Sequence, residues 1–241
     1  MNTARILVIL PALNEGLNIA TVVQRIQAQM PSADILVIDD GSVDDTAQQA
    51  RGAGAIVLNM PYNVGIGAAV QTGFQFAATH DYDIVVRNDG DGQHSPEGIN
   101  HLLARLAAGD VDVVIGSRFV GEDGDYGTPL ARRLGITILA KLLSMITSQR
   151  ITDPTSGFCA FNRKAILLFA QFYPHDYPEP EAIVIAHRTG LKQVEIPVTM
   201  IKREHGKSSI TPVRSVYYMI KVILAILINL LREHPQAKTS T

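Results

Sequence analysis

Short aliphatic runs alternate with stretches of helical periodicity along most of this chain. Residues 5–10 form the first apolar run and meet Pro11, which predicts a buried strand followed by a turn. Asn14 is placed to cap the next helix, whose apolar positions Ile19, Val22, Val23 and Ile26 recur at helical spacing before Pro31 closes it. Residues 35–38 and 55–58 read as the second and third strands, with helical sequence resuming between them near Asp45 and Thr46. A helix through Ala68, Ala69, Gly73 and Phe76 leads to a fourth apolar run, Ile84, Val85 and Val86. Ser95, Pro96 and Glu97 mark a helix start: a capping hydroxyl, a proline of the first turn and an acid near the positive helix end. Ile99, Leu102, Leu103 and Leu106 supply its buried face. Further on, residues 112–115 read as a strand, 130–146 as a long helix and 158–161 as a strand. A turn at 177–181 precedes a helix over 182–188, and 193–198 is the last strand. Residues 215–231 form a strongly apolar helix broken by Lys221 and Asn229, and the tail after His234 is polar. This alternation predicts an α/β fold with a mainly parallel sheet and helices on both faces.

Composition narrows the picture. With 241 residues, 46% of them hydrophobic, the chain suits one large domain or a domain with a small extension. A net charge of −2 gives no electrostatic case for general nucleic-acid binding. Cys159 is the only cysteine, which excludes an intrachain disulfide and a cysteine-built metal site and fits a reducing cytoplasm. The sequence passes from Met1 almost directly into a strand, leaving no apolar core of a secretory leader. No apolar segment reaches the roughly 18 to 20 uninterrupted residues of a membrane span. The 215–231 helix is expected to pack on the domain, lie in a membrane interface or meet a membrane partner.

The candidate chemistry sits where strands end. Asp89 and Asp91 follow the fourth apolar run, separated by Gly90. Positions i and i+2 of an extended segment point to one side, so both carboxylates converge, with Gln93 adding a carbonyl oxygen at the next such step. Hard oxygen ligands of this kind suit Mg²⁺ or Mn²⁺, which take phosphate oxygens as remaining ligands. Residues 11–15 and 39–42 are further polar clusters at strand ends, where open α/β sheets bind ligands. Asn63, Gly65 and Gly67 precede a helix, but this Gly-x-Gly follows the third strand and lacks a third glycine at the Rossmann offset. It reads better as a loop passing close to a donor phosphate or sugar. Arg118 ends another strand and is a candidate anion ligand, and Arg132 and Arg133 open a helix against the dipole preference. Residues 201–209 gather Lys202, Arg203, Lys207, Ser208 and Ser209, which is phosphate-binding chemistry.

Taken in order, these clusters resemble the family 2 glycosyltransferases of the GT-A fold, in particular the dolichyl-phosphate mannose synthase and polyprenyl-phosphate glycosyltransferase branch. Leu10-Pro11-Ala12-Leu13-Asn14-Glu15 matches the opening nucleotide-binding motif and Asp39-Asp40-Gly41-Ser42 the segment contacting base and ribose. Asp89-Gly90-Asp91-Gly92-Gln93-His94 matches the metal motif. Gly116-Ser117-Arg118, residues 153–158 and residues 203–209 fall in the expected order, and the similarity covers roughly residues 5 to 212. The resemblance implies a GT-A domain over residues 1–212, an apolar helix over 213–233 and a disordered tail over 234–241. Relatives in this branch often carry two or more transmembrane helices after the catalytic domain, whereas some are held at the membrane by a small partner.

The implied activity is a metal-dependent, inverting transfer of a hexosyl group from a nucleotide-diphosphate sugar to a polyprenyl or dolichyl phosphate, with Mg²⁺ or Mn²⁺ bound by Asp89, Asp91 and Gln93. The donor would be held by Pro11, Ala12, Asn14, Glu15, Asp39, Asp40, Asn63, Gly65, Asp89 and Gly90. Arg118, Arg203, Lys207 and Ser208 would hold phosphates. A lipid-phosphate acceptor is already ionised near neutral pH, whereas a sugar hydroxyl would need a base, for which Asp153, Glu179 and Glu181 are the candidates. A sugar-phosphate nucleotidyltransferase would place a glycine-rich basic loop after the first strand, where this chain has Pro11-Ala12-Leu13-Asn14-Glu15. The expected setting is the cytoplasm, with peripheral contact to the membrane or to a small membrane partner.

Overall fold

The computed structural model describes residues 4–90, 92, 95–120, 130–199, 221–228 and 230. Strands β1 (Ile6–Ala12), β2 (Asp34–Asp39), β3 (Ile56–Asn59), β4 (Ile84–Arg87), β5 (Val113–Ser117), β6 (Cys159–Asn162) and β7 (Gln193–Pro197) form one sheet in the order β3-β2-β1-β4-β6-β5-β7. All neighbours are parallel except β6, which runs antiparallel to β4 and β5. The carboxyl ends of β1, β2, β4 and β5 therefore share one edge with the start of β6.

Strand alternation divides the core into two. Leu7, Ile9, Leu36, Ile38, Val85 and Phe161 face one side, where they meet Phe74 of α3 (Ile66–Thr79) and Phe169 of α6 (Arg163–Gln171). Leu139 and Leu143 of α5 (Leu130–Thr147) and Ile183 of α7 (Pro178–Arg188) belong to the same side. Val8, Leu10, Val37, Val86 and Val114 face the other, against Ile19, Val23 and Ile26 of α1 (Ile19–Gln29) and Ile99 and Leu102 of α4 (Pro96–Leu106). Ala50 of α2 (Thr46–Gly52) closes that layer. Strands buried on both faces read as continuous apolar runs, which is why the hydrophobic pattern located them. Phe74 anchors an aromatic cluster, edge-on to Phe161 at 5.0 Å between ring centroids.

Several boundaries differ from the sequence expectation, each for a local reason. Pro11 lies inside β1 instead of ending it. The β1–β4 pairing stops at Ile9 opposite Arg87, so the missing N–H of Pro11 leaves no ladder bond unmade on that side. Asn14 does not cap α1; it has φ +55°, donates its backbone N–H to Ser42 Oγ and accepts from Val43 N, while Asn18 precedes the helix. Ser95 precedes α4 as expected, but its hydroxyl donates to Glu97 and makes no cap bond. The 177–181 segment is the first turn of α7, because Pro178 and Pro180 sit where a helix needs no backbone N–H. Helix α6 is absent from the sequence reading; Asn162 caps it by accepting from Ala165 N at 3.0 Å.

Residues 221–228 are helical, and Val222 and Ile226, one turn apart, are buried in the α3–α6 side of the core. Leu224, Leu227 and Ile228 of the same stretch are exposed. Among the described residues, no helix is long and apolar enough to cross a membrane.

Candidate active site

The loops leaving β1, β2 and β3 are stitched into one wall by their own side chains. Asn14 ties the first loop to Ser42 and Val43, Glu15 N donates to Thr46 Oγ1 at 2.9 Å, and Asp40 N donates to Ala12 O at 2.9 Å. Asp40 in turn accepts from Val64 N at 2.7 Å and Gly65 N at 3.1 Å, while Asn63 Oδ1 accepts from Gly65 N. Asp39 accepts from Ser42 N at 3.1 Å. Both carboxylates are buried, so in this structure Asp39 and Asp40 set the shape of the wall by holding backbone N–H groups. Gly41 makes the approach possible: its φ is +77°, and a Cβ there would come within 2.6 Å of the Tyr62 carbonyl carbon.

Facing this wall is the end of β4. The Asp89 side chain is 37% exposed, and its carboxylate lies 3.8 Å from Arg87 Nη2. Gly90 passes over the end of β1, where a Cβ would stand 3.3 Å from Pro11 O and 3.5 Å from Ala12 Cβ. Gly157, in the segment entering β6, leaves the space beside Asp89, since a Cβ there would lie 2.9 Å from Asp89 Oδ1. The structure thus brings Pro11, Ala12, Asp89 and Gly90 together at one sheet edge. The site residues Asp91, Gln93, Arg203, Lys207 and Ser208 lie outside the described residues.

Among the described residues no group of three or more His, Cys, Asp and Glu side chains gathers to hold a metal. The chemistry at the β4 end nevertheless fits a hard divalent cation. Asp89 offers a partly open carboxylate, and Asn88 next to it carries a buried side-chain oxygen without a hydrogen-bond partner among the described residues. Oxygen donors of this type are those that Mg²⁺ and Mn²⁺ take.

Two arginines organise the remaining carboxylates, and only one of them was expected. Arg118 donates Nε to Asp153 Oδ2 at 2.6 Å and Nη2 to Asp153 Oδ1 at 2.7 Å, with a further bond to Thr155 Oγ1. Burial would lower the Arg118 pKa, but the Asp153 hydrogen bonds and charge outweigh it and raise it. The Asp153 carboxylate is fully buried in this bidentate pair. Arg87, which the sequence reading passed over, is buried at the end of β4, donating to Glu179 Oε1 at 2.5 Å and to the Tyr173 hydroxyl at 3.2 Å. Its burial favours loss of the proton, yet Glu179, Tyr173 and Asp89 together hold the guanidinium well above the usual arginine range. A lone cation closing an aliphatic strand was the available signal, because a buried arginine demands a buried acceptor. Glu181 follows on the first turn of α7, half-buried. Tyr173 and Cys159 have their pKa values pushed up by burial, so the thiol is no ready nucleophile.

Known proteins are similar to this chain over most of its length. Polyprenol monophosphomannose synthase of Mycolicibacterium smegmatis is 33% identical over 219 residues, covering 87% of this chain and 82% of that protein. Undecaprenyl-phosphate mannosyltransferase of Micrococcus luteus is 30% identical, covering 86% of this chain and 88% of that protein. Among solved structures, glucosyl-3-phosphoglycerate synthase from Mycobacterium tuberculosis, in complex with Mn²⁺, UDP and glucosyl-3-phosphoglycerate, superposes with a TM-score of 0.67. It is 24% identical and covers 94% of this chain and 79% of its own, a likeness of fold. The model of the glycosyl transferase family 2 matches residues 7–168, spanning the wall, the β4 end and the Arg118–Asp153 pair, and the chain belongs to that family.

Proposed function

We propose that this enzyme transfers a hexosyl group from a nucleotide-diphosphate sugar to a polyprenyl phosphate, with inversion at the anomeric carbon. An oxygen of the lipid phosphate attacks that carbon, the bond from it to the diphosphate breaks, and the nucleoside diphosphate leaves with the electron pair. The wall formed by the β1, β2 and β3 loops receives the nucleoside, with Pro11, Ala12, Asn14, Glu15, Asn63 and Gly65 lining it. Asp89, with Asp91 and Gln93, would hold Mg²⁺ or Mn²⁺, which when bound offsets charge on the departing diphosphate. Arg118, with Arg203, Lys207 and Ser208, holds phosphate oxygens, for which the planar guanidinium is suited.

The observation that carries the choice of acceptor is the state of the carboxylates. Asp153 and Glu179, two candidate bases, are each engaged by an arginine at 2.5 to 2.7 Å. An already ionised phosphate needs no proton removed, so an acceptor of that class fits a site in which Asp153 and Glu179 are committed to ion pairs. The names of the mannosyl relatives point the same way, and the neighbour solved with Mn²⁺ and UDP supports the donor class and the metal. Transfer should appear when GDP- and UDP-sugars are screened with Mn²⁺ and polyprenyl phosphate in vesicles. Transfer to sugar hydroxyls but never to the lipid would overturn the acceptor assignment.

Such an acceptor lies at a bilayer surface, and we place the domain there peripherally. Helix α5 exposes Leu134 (63%), Ile138 (49%) and Met145 (72%) on one stripe, with Lys141 between them. Leu224, Leu227 and Ile228 add exposed apolar area on the C-terminal helical stretch, beside exposed Lys221. Apolar area with interspersed cations is the pairing that binds an anionic interface. The double substitution Leu134→Asp and Ile138→Asp should release the protein from anionic vesicles in a flotation assay while donor hydrolysis in solution continues. Unchanged flotation would move the contact elsewhere, to the C-terminal stretch or a membrane partner.

A further inference from the structure

Glu195 is a half-buried carboxylate with no cation among its described hydrogen-bond partners. It stands in mid-β7, opposite Ile115 of β5, and accepts four hydrogen-bond contacts from one irregular segment. Thr152 N approaches both oxygens at 3.0 and 2.8 Å, Thr152 Oγ1 donates at 2.6 Å, and Asp153 N donates at 3.0 Å. Thr152 Oγ1 is also 2.6 Å from Ser117 Oγ at the end of β5. Asp153, so held through its own backbone, carries the side chain that clamps Arg118 through Nε, Nη2 and the backbone N–H. The segment around Thr152 and Asp153 lies outside any helix or strand, so no ladder fixes it. Burial raises the Glu195 pKa despite the hydrogen bonds from Thr152 and Asp153, an unfavourable placement for an acid with only a packing role.

We infer that Glu195 is a positioning residue for Arg118: by gripping the backbone at Thr152 and Asp153 from the rigid β7 strand, it fixes the carboxylate that aims the guanidinium at the donor or acceptor phosphate. This rests on the reading of Arg118 as a phosphate-holding residue. The carboxylate matters because Glu195 Oε1 receives two N–H groups at once. An amide can keep that oxygen and turn its NH₂ toward the Thr152 hydroxyl, which can also accept, but that NH₂ then opposes Thr152 N–H, which lies 2.8 Å from Oε2. Alanine removes every one of these bonds and releases the segment.

The test is binding of inorganic pyrophosphate with Mn²⁺ to the full chain, by calorimetry. Arg118→Ala, Glu195→Ala, Glu195→Gln and the Arg118→Ala/Glu195→Ala pair are compared. Arg118→Ala and Glu195→Ala are each expected to weaken binding roughly tenfold or more, as losing or misaligning a charge-assisted bond does. Glu195→Gln should fall between wild type and Glu195→Ala. The double variant should bind no more weakly than Arg118→Ala alone, since residues acting through one contact are not additive. If Glu195→Ala does not fold, Glu195→Gln carries the same comparison. If Arg118→Ala weakens binding but the Glu195 variants do not, or if the effects multiply, the relay is wrong and the role of Arg118 stands. If Arg118→Ala binds pyrophosphate like wild type, both fall together.

Discussion

Arg87→Met is expected to lower the melting temperature by roughly 6 to 20 °C. Removing one partner of a buried ion pair costs about 3–5 kcal/mol, because the other charge is left unpaired in a low-dielectric site. For a chain of this size each kcal/mol corresponds to about 2–4 °C. Here the abandoned group is Glu179, whose carboxylate is largely buried at the start of α7, and the Tyr173 hydroxyl loses its donor as well. Methionine occupies similar volume without charge, so the loss is electrostatic and not a cavity. Adding Glu179→Leu should recover most of the stability, since replacing both members of a buried pair by apolar groups is often neutral or favourable. Thermal unfolding followed by circular dichroism decides it. A shift below about 2 °C for the single variant would mean that the pair does not contribute as its geometry implies.

The same arginine shows where sequence reasoning reached and where it stopped. The central strands were legible because both faces of the sheet are buried there and β1, β2 and β4 read as apolar runs. Helix α1 was legible because Ile19, Val22, Val23 and Ile26 follow the helical period and all are buried. Helix α6 was not, although Ala165, Ile166, Leu168 and Phe169 form its buried face, because its short apolar run carries no strong punctuation. The first turn of α7 was hidden by Pro178 and Pro180, which signal a turn and a helix start equally well.

At the site, motif order located the strand ends but could not assign partners. Asp153 and Glu179 looked alike as candidate bases, and only the fold shows that each meets a different arginine, Arg118 and Arg87. Glu195 carried no sequence signal at all, since an acid in a short strand near an edge normally reads as solvated. Asp39 and Asp40 read as ligand contacts, and the fold adds that their oxygens receive the N–H groups of Ser42, Val64 and Gly65. Pairings across tens of residues are set by sheet order, which local patterns do not encode.

Asp89→Asn should keep the fold and lose turnover by about 10²-fold or more, the usual cost of removing a group that stabilises charge on a leaving group. The carboxylate is partly open to solvent, and Arg87, 3.8 Å away, is itself bonded to Glu179 at 2.5 Å. Charges this exposed add little to stability, so the melting temperature should move by no more than a few degrees. A divalent cation held by few protein ligands depends on each of them, so Mn²⁺ affinity measured by water-proton relaxation should fall in step with turnover. Asp91→Asn is expected to behave in the same way if both carboxylates serve one ion. Full chelation with EDTA should abolish transfer by the wild type, and added Mn²⁺ or Mg²⁺ should restore it. Transfer that survives EDTA, or an Asp89→Asn variant that binds Mn²⁺ as tightly as wild type, would remove the metal from the proposed mechanism.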